Sequence, residues 1–90
     1  MHFEWDSRKA ASNLHKHGVA FEEAATVFQD VLSLTGADPD HSVDEERMIT
    51  CGLSSRGRLL VVSHTIRRGR LRIIGARPAT SAERKFYEEG

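Results

Sequence analysis

Apolar residues recur every three or four positions in some stretches of the chain and every two positions in others, and that change of period marks out its elements. Asp6 precedes a segment, Ser7–His17, in which Ala10, Ala11 and Leu14 supply an apolar stripe, and Gly18 follows it. An acceptor side chain before and a glycine after are the start and stop signals of a helix. Phe21, Ala24, Ala25 and Phe28 predict a second short helix. From Asp30 to Leu34, Val31, Leu32 and Leu34 make a β-prone run that Gly36 ends. Residues 37–46 are acidic, contain Pro39 and have no period, as a loop would. Arg47–Leu53 alternates weakly and reads as a strand. Ser54-Ser55-Arg56-Gly57 is a turn, and Arg58–Ile66, with Leu59-Leu60-Val61-Val62 at its centre, gives the strongest strand signal.

Arg68-Gly69 predicts a two-residue hairpin turn into a strand from Arg70 to Ala76. That register sets Arg67 opposite Arg70, Thr65 opposite Arg72 and His64 opposite Ile73. It gathers Thr65, Arg67, Arg70 and Arg72 on one face, and His64, Ile66, Leu71 and Ile73 on the other, which is the expected core face. Pro78 ends the strand, and Thr80-Ser81-Ala82-Glu83 matches a capping box, so a last helix should run to about Tyr87. The expected fold is α+β, with two N-terminal helices, a sheet of about four antiparallel strands and a C-terminal helix, and residues 1–90 are expected to form one domain.

Ninety residues with 39% hydrophobic content suffice for one modest core. Cys51 has no second cysteine to pair with, which excludes an intrachain disulfide and a cysteine-pair zinc site; it is expected as a small buried strand residue. Trp5 is likewise expected in the core. No apolar run approaches the length of a membrane span, and the first residues lack the basic and apolar regions of a leader, so a cytoplasmic protein without a membrane partner is expected. The formal net charge of zero conceals a polarity: three basic residues stand against ten acids through Glu46, net −7, and ten against three from Arg47 onward, net +7. Nine of those last ten are arginine, whose planar fork grips phosphate and stacks on bases. A polyanion partner explains this polarity. Mutual satisfaction of the two halves within one fold explains it as well.

Five histidines invite a search for a metal site, but His15 and His17 are two apart on a helix, where ligands need spacings of three or four. No metal and no cofactor is expected, and no phosphate-binding glycine loop or nucleophile elbow is present. The remaining inventory is an arginine-rich sheet with His64, Tyr87 and several hydroxyls near it. Cleavage of RNA by its own 2′-OH requires a proton acceptor, stabilisation of the charged phosphorane and a proton donor, and these residues can supply all three. They can equally serve plain phosphate binding, so composition leaves open both an enzyme and a non-catalytic nucleic-acid-binding or corepressor module.

Four blocks in order carry a resemblance: Phe3-Glu4-Trp5-Asp6 with Lys9, Asn13, Lys16-His17-Gly18-Val19 and Phe21-Glu22-Glu23-Ala24; Gly57 to Thr65; Arg72 to Thr80; and Glu83-Arg84 with Tyr87-Glu88-Glu89. Together they resemble the BrnT family. The resemblance implies a RelE-like ribonuclease fold that inhibits translation by cleaving RNA, mRNA in particular. It also implies neutralisation by a BrnA-like ribbon-helix-helix antitoxin, through which alone operator DNA would be contacted. In RelE-like toxins an arginine near the end of the last strand and a C-terminal tyrosine often serve the reaction, which puts Arg77 first among the catalytic candidates, followed by His64, Lys9 and Tyr87. Arg58, Arg67, Arg68, Arg70 and Arg72 are the expected RNA-binding residues, or a docking surface for the antitoxin. Glu83 is expected to act as a helix cap.

Overall fold

The computed structural model describes residues 2–38 and 46–90. A short strand, β1 (Phe3–Glu4), leads into α1 (Ser7–His17). Asp6 caps this helix by accepting the N–H groups of Arg8 and Lys9 at 2.8 and 3.1 Å, and Gly18 closes it in the left-handed conformation at φ 70°. The second helix, α2, spans only Phe21–Thr26 and tightens into a 3-10 turn at Val27–Gln29, so the expected helix to Phe28 ends in a narrower coil.

The β-prone run at Asp30 does not extend as a strand at once. Asp30 accepts Leu32 N–H through its side chain and Ser33 N–H through its carbonyl, which turns the chain and leaves Val31 95% and Leu32 68% exposed. Strand β2 therefore occupies Leu34–Ala37. Most of the acidic loop expected over 37–46 lies outside the described residues; beside it, Asp38 N–H donates to Arg47 O at 2.9 Å. Strands β3 (Met48–Leu53), β4 (Leu59–Arg67) and β5 (Arg70–Pro78) follow, then α3 (Ser81–Glu89), which begins with the expected Thr80–Glu83 capping box.

The sheet has five strands in the order β1-β5-β4-β3-β2 and is mixed. The expected four antiparallel strands are corrected by β1, which pairs parallel to β5 through Phe3↔Leu71 and Glu4↔Arg72. Two residues are too few to carry a period, so the sequence held no strand signal there. The hairpin register is as expected, with Arg67↔Arg70, Thr65↔Arg72 and His64↔Ile73. A bulge then intervenes: Ser63 pairs with Gly75, which leaves Ile74 as the extra residue, and Val61 pairs with Arg77. Strict alternation along β5 would put Arg77 on the face opposite Arg70 and Arg72. The bulge puts all three on one face, since directly opposed residues share a face and Val61, Ser63 and Thr65 alternate without interruption in β4.

The other, inner face carries the core. Val19, Phe21, Ala24 and Val27 pack against Leu60, Val62, Leu71, Ile73 and Ala76, with Phe3, Trp5, Ala10, Ala25 and Phe28 around them. Trp5 meets Phe21 edge to face at 6.0 Å, so it belongs to the core margin. The expected α1 stripe is rotated: Leu14 is 52% exposed, and Asn13 faces the sheet instead. Its amide accepts Ala76 N–H and donates to Ala76 O and Val19 O, completing the β5 backbone just past the bulge. Gly52 is required by close approach, because a Cβ there would lie 2.9 Å from Ser33 Cβ and 3.0 Å from Val27 Cγ1. Ile66, expected in the core, is 57% exposed beside the hairpin turn.

Candidate nucleic-acid interface

Arg77 leaves the end of β5 on the outer face, and its guanidinium meets the Glu83 carboxylate in a fork, Nη1 to Oε1 at 2.7 Å and Nη2 to Oε2 at 2.8 Å. Nη1 also donates to Pro78 O at 3.3 Å. The edge formed by Nε and the second Nη2 proton has no partner among the described residues, and the side chain is 41% exposed. A phosphate oxygen would find two parallel donors there. Glu83 is fixed in turn, because its Oε1 accepts Thr80 N–H at 2.8 Å and its own N–H donates to Thr80 Oγ1. The expected cap is therefore also an orienting group for Arg77. The Arg77 hydrogen bonds hold the Glu83 carboxyl down to about 2, and Glu83 raises the guanidinium in return.

Four further basic side chains, Arg67, Arg68, Arg70 and Arg72, gather at the hairpin end of the sheet. Glu4, Arg67, Arg68 and Arg70 line a cavity of about 440 Å³. Glu4 accepts Arg72 Nη1 at 2.9 Å and lies 3.9 Å from Arg70, which is 64% exposed. Arg68 sits at φ 52° and Gly69 at φ 76°, the two left-handed positions that a tight hairpin turn requires, so the turn presents Arg68 outward. Lys9 joins this group through Asp6, whose carboxyl is held below its ordinary range first by the capping N–H groups of Lys9 and Arg8, then by the charges of Lys9 and Arg72.

The remaining candidates stand elsewhere. His64 is 3% exposed on the inner face, where its Nε2 shares a hydrogen bond with Thr50 Oγ1 at 2.8 Å, and Thr50 meets Thr35 at 2.7 Å. Phe28 covers the imidazole edge to face at 4.9 Å, the His64 Nδ1 is buried without a partner among the described residues, and burial pushes the His64 pKa down. The sheet separates it from Arg77. Tyr87 donates its hydroxyl to Asp30 Oδ2, which pushes the phenol up to about 12. Asp30 also accepts Leu53 N–H, so this carboxylate ties α3 to β3. Arg58 grips Glu23 through Nε and Nη2 and reaches Gly18 O at 3.1 Å. Glu4, Glu23 and Asp30 were not singled out in the sequence. Charge balance was one signal for them, and in this respect the two halves do satisfy each other: Arg58 pairs with Glu23 and Arg72 with Glu4.

Four carboxylates thus titrate below their ordinary values: Glu83 through Arg77, Glu23 through Arg58, Asp30 through Leu53 N–H and Tyr87, and Asp6 through the N–H groups it caps. Their folded values lie below the unfolded ones, so their contribution is complete above about pH 4.5 and is lost as pH falls towards 2. Buried His64, whose pKa is pushed down, gains its proton only on unfolding, so melting temperature measured from pH 7 downward should slip gently below about pH 6.5 and then decline steeply below about 4.5. A flat profile to pH 2.5 would contradict these pairings.

The sheet carries α1 and α2 on its inner face and, on its outer face, α3 with the arginine fork, and the chain so folded falls in the class of ribonuclease toxins of type II toxin–antitoxin systems. Within that class the chain belongs to the BrnT family, since the model of the family described as "Ribonuclease toxin, BrnT, of type II toxin-antitoxin system" matches residues 5–83. The fold is similar to the crystal structure of the Brucella abortus ribonuclease toxin BrnT, with a TM-score of 0.66 and 26% identity over 90% of this chain and 99% of that one. No curated protein matches in sequence. Membership in a type II system implies an antitoxin partner. Among the described residues no helix is long and apolar enough to cross a membrane.

Proposed function

We propose that the protein cleaves RNA, mRNA in particular, on the outer face of its sheet and so inhibits translation in the cytoplasm. The observation that carries this reading is the Arg77 fork, held by Glu83 with one edge left for a phosphate. In the reaction the 2′-oxygen of the substrate attacks the adjacent phosphorus, the bond to the 5′-oxygen breaks, and the proton lost from the 2′-OH is balanced by one gained at the leaving oxygen. The products are a 2′,3′-cyclic phosphate and a 5′-OH. Arg77 neutralises the charge that builds on the phosphorane and is the catalytic residue; Glu83 is its positioning residue. No metal ion takes part in this scheme.

Arg67, Arg68, Arg70 and Arg72, with Lys9, track the RNA backbone beyond the cut. Arg58, His64 and Tyr87 hold the scaffold: Arg58 neutralises Glu23, His64 braces three strands through Thr50, and Tyr87 anchors α3. A ribbon-helix-helix antitoxin of the BrnA type covers the basic face and makes the operator contacts itself. Incubating the purified protein with RNA in EDTA tests this reading. Cut RNA with 5′-OH ends is expected, and RNA that is bound yet intact would leave a binding module.

A further inference from the structure

The outer face also carries an apolar pocket of about 290 Å³, lined by Leu34, Gly36, Ile49, Cys51, Val61 and Phe86, with Glu83 at its rim. The strand register places it relative to Arg77. Leu34 pairs with Cys51, Cys51 with Val61, and Val61 with Arg77, so the four form one row across β2, β3, β4 and β5. Strands lie about 4.8 Å apart, which sets Cys51 roughly 10 Å from Arg77, within the span of one nucleotide from phosphate to base. The next row is Gly36, Ile49, Ser63 and Gly75, whose small members keep the surface low between arginine and pocket.

Phe86 stands at the pocket with 69% of its surface exposed, and β2 is the edge strand, so its outer backbone groups face away from the sheet. A flat ring entering the pocket would meet an aromatic side chain and an apolar floor, with donors and acceptors at the edge. A phosphate attached to that ring would lie within reach of Arg77, which stands in the same row across the sheet. We propose that this pocket seats a nucleobase adjoining the scissile phosphate, and that it is where the protein senses the sequence it cuts. The proposal rests on the ribonuclease reading and assigns that site its substrate subsite.

Gly36 provides the test. A Cβ there meets nothing within 4 Å, and its backbone is in an ordinary region, so Gly36→Leu fills the pocket without straining the sheet. The probe is a series of short RNAs that each lack one base near the cut, with kcat/KM as the readout. Wild type is expected to lose about tenfold at one position when that base is missing, the scale of one base stacked on an aromatic. Gly36→Leu should show a similar loss on intact RNA and no further loss on the abasic RNA, with unchanged melting. Phe86→Ala, at an exposed position, should behave likewise. Wild-type preference and rate in both variants would overturn the proposal. Normal cleavage with lost neutralisation by the antitoxin would also overturn it, since the pocket would then hold a protein side chain. If wild type leaves RNA intact, the ribonuclease reading falls, and the same abasic series read by binding decides the pocket on its own.

Discussion

Arg77→Ala is expected to lower the rate of RNA cleavage by about 10²–10³-fold and to abolish growth inhibition, the usual cost of removing one preorganised donor from a transition state. The geometry separates this from a folding effect. Glu83 keeps its capping bonds to Thr80 when the arginine is gone, and the ion pair is partly exposed, so its loss costs about 1 kcal/mol or less. For a domain of this size that lowers melting by roughly 4–8 °C at most. Arg77→Lys should rescue little, because an ammonium cannot keep a fork to Glu83 and still present two donors to a phosphate. Circular dichroism and melting establish the fold, and RNA cleavage kinetics establish the loss. A fully active Arg77→Ala protein would end the catalytic assignment.

Arg58→Ala should do the reverse and damage the fold first. Glu23 is 7% exposed on α2, and its carboxylate accepts Arg58 Nε at 2.9 Å, Arg58 Nη2 and Ser54 Oγ at 2.7 Å. The pair ties α2 to the start of β4, and Arg58 adds a bond to Gly18 O just beyond α1. Removing the guanidinium leaves a buried carboxylate with one hydroxyl partner. A fully buried pair broken this way loses about 3–5 kcal/mol; with Arg58 39% exposed, about 2–3 kcal/mol is expected, or a melting temperature lower by roughly 10–20 °C. Once temperature is lowered to restore folding, RNA affinity should be close to wild type. A variant that melts normally but binds RNA weakly would return Arg58 to the RNA-binding surface.

These two arginines show where the sequence could be read and where it could not. Local chemistry was legible: the Asp6 cap, Gly18, the Arg68-Gly69 turn and the Thr80–Glu83 box each act over a few residues, and each stands where expected. The hairpin register followed from the turn and correctly set His64 inward and Arg72 outward. What depended on distant contacts was not legible. One extra residue at Ile74 decides which face Arg77 occupies, and no period announces it. The two-residue strand β1 forms because β5 offers an edge, and it brings Glu4 to Arg72. Val31 and Leu32 have strand propensity, yet the Asp30 side chain makes them a turn. Cys51, expected as a buried strand residue, is half-buried at the pocket, with its thiol pushed up by burial. Arg58 was expected beside Arg67, Arg68, Arg70 and Arg72 as an RNA-binding residue, with Arg77 apart from them; in the fold Arg58 pairs with the internal carboxylate of Glu23, which no local pattern announces.

If the outer face cuts RNA as proposed, it does so through the substrate's own 2′-OH. The most direct test is to incubate the purified protein, in EDTA, with an RNA oligonucleotide and with the same oligonucleotide carrying one 2′-deoxy nucleotide at the cleaved position. The first is expected to be cut to a 2′,3′-cyclic phosphate and a 5′-OH, and the second to stay intact at that position. Equal cleavage of both, or loss of all cleavage in EDTA, would contradict this mechanism.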